Sequence, residues 1–141
     1  MKLKTFILPI IGSAFLGGLC IVAPPYIFEN ENLINYNAPL FPFIATAIEN
    51  IQIFKSSILL LFAYGLWGYV SDAKWFVIGP AAILIFPLVL LLEILKSPTS
   101  HNLWPFELGL YHFLDFPAMV GSFIGSKIRS RKQHKVQFLA R

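Results

Sequence analysis

Apolar and polar positions alternate along this chain on the scale of a bilayer. Four mainly apolar stretches, at about 5–23, 52–70, 75–95 and 105–127, are separated by shorter polar segments. Each is close to the roughly 20 residues that a helix needs to cross a hydrocarbon layer about 30 Å thick. The pattern predicts an all-α, polytopic integral membrane protein: one domain over 1–141, built as a four-helix transmembrane bundle.

Lys2 and Lys4 precede the first stretch. A cleaved signal is disfavoured, because Leu19 stands directly before Cys20 and Pro24 follows Ala23. The stretch is read as a retained span, which Pro24 and Pro25 are expected to end. The segment YIFENENLINYN that follows carries no Lys or Arg, as expected of an outer loop. Within this loop, 24–51, Ile44, Ala47, Ile48, Ile51 and Phe54 recur at helical spacing. They predict a short amphipathic helix, with residues 42–54 on the outer surface and leading into the second span.

The second stretch runs into LWGYVSDAKW, a short cytoplasmic turn whose Trp67, Tyr69 and Trp75 suit a membrane interface. In the third, Pro80 and Pro87 are expected to bend the helix, and Glu93 is expected to pair with Lys96 on one face. The fourth is the least hydrophobic of the set. Topology argues for it: the third span ends outside, and the basic tail at 128–141 belongs inside. Both termini are therefore placed in the cytoplasm of a bacterial-type inner membrane.

Composition reinforces the membrane reading. Hydrophobic residues make up 57% of the chain and charged ones 13%, with a mean hydropathy of +0.70, too few charges for a soluble surface. The net charge of +4 is concentrated near the end, in Lys127, Arg129, Arg131, Lys132 and Lys135. A basic segment beside a span is an anchor for anionic lipid headgroups, so membrane lipid is one expected partner. No nucleic-acid-binding motif accompanies it, and no nucleic acid is expected. Cys20 is the only cysteine, which excludes an intrachain disulfide.

The unusual chemistry lies in SPTSHNLWPFELGLYHFLDFP, residues 97–117. His101, Asn102 and Trp104, with Glu93, are candidates at the outer mouth. On a helix Glu107, Tyr111 and Asp115 share a face with Ala118, Ser122 and Gly125, and His112 lies three residues before Asp115. This face must turn toward protein or water, since a charged Asp near the midplane costs on the order of 3 kcal/mol. Two roles compete for Asp115: a proton-handling pair with His112, or capping of the helix that restarts at Pro117. Gly121 and Gly125 form a G-x-x-x-G pair that lets another helix approach closely. No nucleophile elbow, phosphate loop or dense metal motif is present, so no catalytic residue, metal or cofactor is assigned.

Three functions follow from these features. The first is a small non-enzymatic protein that works by contact with a protein partner or by self-association: an accessory subunit, an assembly factor or an immunity-type protein. Its working surface is the outer region from Tyr26 to Phe54 with Ser97 to Phe106. The second is an oligomeric channel or proton-coupled carrier lined by the polar face of the last span. The third is an enzyme on a lipid-linked substrate, with His101, Glu107 or His112 as acid–base groups.

Overall fold

The computed structural model describes residues 3–28, 40–96 and 104–139; the side chains of residues 3–6, 104, 107, 134–137 and 139 are not described. Helix accounts for 90% of the described residues, and no strand occurs among them. In chain order the elements are α1 (Leu3–Phe28), α2 (Pro42–Glu49), α3 (Ile53–Val70), α4 (Trp75–Ile78), a 3-10 turn (Pro80–Ile83), α5 (Ile85–Lys96) and α6 (Trp104–Leu139). Three helical runs are long and apolar enough to cross a membrane: Ile7–Phe28, Ile53–Val70 and Trp75–Lys96. The stretch at 105–127 lies within α6 and is not among them.

Prolines account for two departures from the sequence reading. α1 does not stop at Pro24 and Pro25 but continues to Phe28. Trans proline has a helix-compatible φ, and the pair forfeits only the two bonds to the Cys20 and Ile21 carbonyls, near the end of the helix. Both rings are buried, and the next residue is tied down by the Tyr26 hydroxyl, which donates to the Phe43 carbonyl (2.7 Å). The third run does more than bend. It breaks at Gly79, tightens into the 3-10 turn from Pro80, and restarts at Ile85. Pro87 falls in the first turn of α5, where its missing N–H has no intrahelical partner to lose.

The amphipathic stretch folds as α2, with Thr46 and Ala47 buried and Ile44, Ile48 and Ile51 packed on the core. Phe54 is separated from it by the break at Asn50–Gln52 and stands exposed in the first turn of α3.

Pairwise contacts set the helix directions. Ser13 meets Tyr64 and Gly12 meets Trp67, while Lys55 lies over the Phe28 ring, so α1 and α3 are antiparallel. Gly121 abuts Leu61, Gly125 abuts Gly65, and Arg129 reaches Asp72, so α3 and α6 are parallel at an offset near sixty residues. Gly79 meets Met119 and Phe86 stacks on Tyr111, making the third run antiparallel to α6. The molecule thus has two ends. One holds the α3–α4 turn with Asp72; the other holds α2. The core between them comprises Cys20, Ile21, Leu60, Tyr64, Ala82, Ile83, Phe86, Leu90, Tyr111, Leu114 and Ala118.

Candidate functional site

The polar face of α6 turns into its own chain. Tyr111, Asp115, Ala118 and Ser122 are all buried, while Phe113, Phe116 and Phe123 on the other side are exposed. The Tyr111 ring stacks on Phe86 with centroids 5.3 Å apart. Asp115 is 7% exposed, and its Oδ1 is buried without a hydrogen-bond partner. His112 is not its hydrogen-bond partner. That ring is exposed, and its Nδ1 lies 2.8 Å from the Leu108 carbonyl of its own helix. Three-residue spacing sets the two side chains on flanking positions, but the interior takes one and the exterior the other.

Glu93 is 2% exposed, and its carboxylate is not spent on Lys96, which is exposed. Its Oε1 accepts the backbone N–H groups of Leu40 (3.1 Å) and Phe41 (2.8 Å), fastening the start of α2 to α5. Acid at a helix N-terminus is favoured by the orphan amides and the helix dipole, and here it comes from 52 positions away. The other oxygen, Oε2, is buried and unpartnered.

Below Asp115 the interior is hydrogen-bonded. The Tyr64 hydroxyl donates to the Ser13 carbonyl, and Ser13 Oγ donates to the Ile78 carbonyl (2.5 Å) while lying 2.9 Å from Tyr64 Oη. Ser122 Oγ reaches the carbonyls of Met119 (3.0 Å) and Trp75 (3.3 Å). These ties join four helical runs. Glycine allows them to approach: a Cβ at Gly17 would overlap the Ala82 backbone, one at Gly68 the Ser122 backbone, one at Gly121 the Leu61 carbonyl, and one at Gly125 the Gly65 carbonyl. Backbone contact this close is what small residues provide between helices in lipid.

At the Asp72 end the basic residues engage the turn. Arg129 Nη1 donates to the Ser71 carbonyl and pairs with Asp72 (3.0 Å), and Lys132 Nζ lies 3.2 Å from the Tyr69 hydroxyl. Lys127 lies over the Phe123 ring, and Arg131 is exposed. Lys135 lies outside the described side chains. So do those of Trp104 and Glu107, and His101 and Asn102 lie outside the described residues altogether.

Ser13, Gln52, Ser56 and Tyr64 were not singled out by sequence. A signal existed for two of them: Ser13 sits in a small-residue stripe with Gly12 and Gly17, and Tyr64 is a lone hydroxyl in the middle of an apolar run. No cluster of His, Cys, Asp and Glu able to hold a metal occurs among the described residues. An apolar groove between α3 and α6, about 270 Å³, is lined by Phe54, Ser57, Ile58, Leu61, Phe116, Pro117 and Val120. Comparison with family models, with curated proteins and with solved structures finds no match.

Proposed function

We propose that the chain is a four-span inner-membrane protein, with both termini cytoplasmic, that works by contact with another membrane protein rather than by catalysis. The fourth crossing is supported by register. α6 runs beside α3 in the same direction, with Gly121 at the level of Leu61 and Arg129 at the level of Asp72, so it covers the same depth as a helix long enough to span. The cationic side chains of Lys74, Lys127, Arg129, Arg131 and Lys132 gather at one end, as the positive-inside rule asks of a cytoplasmic face.

One contrast carries the functional reading. The polar groups of the last span are turned inward on the chain's own helices, whereas Phe43 and Phe54, at the opposite end, are 75% and 78% exposed. A pore lined by that polar face would need it on the outside, so the geometry favours contact over the oligomeric channel. The lipid-linked enzyme is not favoured by His112, whose ring is engaged with the Leu108 carbonyl. Bulky aromatics at the rim are enriched where proteins meet; Phe43 lies on the helix that caps the fold and Phe54 just beyond its end.

A photo-crosslinking residue at position 43 or 54, in cells, tests this. The expected outcome is one discrete protein adduct, lost from the tested position when the other is changed to Ser. Adducts with lipid alone, together with a monomer that elutes by itself in mild detergent, would overturn it.

A further inference from the structure

The cations at the Asp72 end are not all committed alike. Arg129 is held by Asp72 and the Ser71 carbonyl, and Lys132 lies beside the Tyr69 hydroxyl. Lys74 and Lys127 are exposed, and neither has a carboxylate partner among the described residues. Each ammonium lies over a ring instead: Lys74 Nζ is 5.4 Å from the centroid of Phe76, and Lys127 Nζ is 5.6 Å from that of Phe123. Those two rings belong to one cluster. Both pack edge-on against Trp75, with centroids 5.7 and 5.3 Å away. α4 and α6 thus build an aromatic floor with an uncommitted ammonium at each margin. Among the described residues the other cation–ring pairs, Lys55 with Phe28 and Lys132 with Tyr69, stand singly.

The floor sits where a span enters the hydrocarbon, since Trp75 opens the third apolar run and Phe76 follows it. Aromatic rings are at home at that depth. On α6 the Arg129–Asp72 pair marks the same end two residues beyond Lys127. From Lys127 back along α6, Phe123, Val120 and Phe116 follow at steps of four, three and four residues, which keeps them on one side of the helix. Phe123 and Phe116 are exposed and Val120 is half-buried; Val120 and Phe116 also line the apolar groove beside α3. An apolar track therefore begins at a cation and runs toward the middle of the fold.

A ligand that matches this surface carries a negative charge at the water boundary and hydrocarbon below it. Free phosphate offers only the first, and an apolar helix only the second. Basic sites between spans are where anionic headgroups bind. We propose that Lys74, Lys127 and the Trp75–Phe76–Phe123 cluster form a binding site for an anionic phospholipid, with its phosphate drawn to the two ammonium groups and an acyl chain laid along the Phe123–Phe116 side of α6. This goes beyond the diffuse attraction of a basic tail, because it selects two cations at that end over the others. It rests on the chain lying in a bilayer, and requires neither a protein partner nor a particular side of the membrane.

Two measurements test it on the full chain. In native mass spectrometry from mild detergent, the unsubstituted protein is expected to hold one phosphatidylglycerol about tenfold or more tighter than phosphatidylcholine. Lys74→Gln with Lys127→Gln should remove most of that preference. Arg131→Gln with Lys132→Gln removes the same charge and should change it by less than about twofold. An equal loss from the two pairs, or no preference in the unsubstituted protein, would overturn the site. The second measurement needs no substitution: phosphatidylglycerol with a diazirine in its acyl chain is photolysed with the protein in nanodiscs. Adducts are expected to concentrate on residues 74–77 and 116–127. Adducts spread equally over exposed apolar residues of α1, such as Leu8, Ile11 and Phe15, would sink the proposal. Should either double variant fail to fold, the adduct map decides alone.

Discussion

The two ends of this molecule solve the same problem in opposite ways. Each must bury polar groups inside a helical fold. From the middle of the fold to the Asp72 end helices meet backbone to backbone, at Gly17, Gly68, Gly121 and Gly125, and hydroxyls such as those of Ser13, Tyr64 and Ser122 find protein partners. At the α2 end the helices are held by side chains instead, and the polar atoms of Gln52, Ser56, Glu93 and Asp115 outnumber the partners provided. The lesson is that glycine spacing and polar satisfaction go together. Where backbones touch, hydroxyls bond directly to protein, with the Trp67 indole nitrogen as the exception, and toward the α2 end more polar atoms are left without a partner.

The sharpest way to break this contrast is to add bulk at the tight end. Gly125→Leu drives a side chain into the Gly65 carbonyl and is expected to cost upwards of about 3 kcal/mol, seen as loss of monodisperse protein or a large fall in unfolding midpoint in detergent. A neutral result would mean the α3–α6 crossing is looser than described. At the other end, Glu93→Ala removes the acceptor for two backbone amides. A loss of about 1–3 kcal/mol is expected, confined locally: amide exchange should accelerate over Leu40–Glu49 while α3 and α6 keep their protection. Uniform acceleration would show that α2 is not a separately fastened cap. The smallest effect is expected at Gly109, on the same helix as Gly125 but with open space where a Cβ would stand. Gly109→Ala should stabilise by up to about 1 kcal/mol through helix propensity alone, a rise in midpoint against the fall at Gly125.

Much of this fold is written locally and was readable as such. Three spans follow from hydropathy, and α2 follows from the spacing of Ile44, Ala47 and Ile48. Local rules missed what distant packing decides. The helix survives Pro24 and Pro25 because both rings are buried against the core, and no neighbour in sequence announces that. Glu93 faced two claims, a nearby Lys96 and the amides of Leu40 and Phe41, and the three-dimensional one won because a buried acid profits more from two fixed N–H donors than from an exposed lysine. The site was half readable. Periodicity identified the face that holds Tyr111 and Asp115, but spacing alone could not tell that the His112 ring is exposed and bonded within its own helix, nor that Ser56 of α3 and Gln52 just before it carry unpartnered buried atoms.

The last helix also sets a distance. α6 continues ten residues past Arg129, where its side chain grips the α3–α4 turn, without losing its helical form. At about 1.5 Å per residue that is a stalk of roughly 15 Å, its rotation fixed at the base by Arg129 and Lys132. Anything bound near Leu139 is therefore held at a set stand-off and azimuth, as a spacer would hold it, instead of trailing on a tether. Shortening that stalk by two residues would bring its tip closer by about 3 Å and also swing it through more than half a turn.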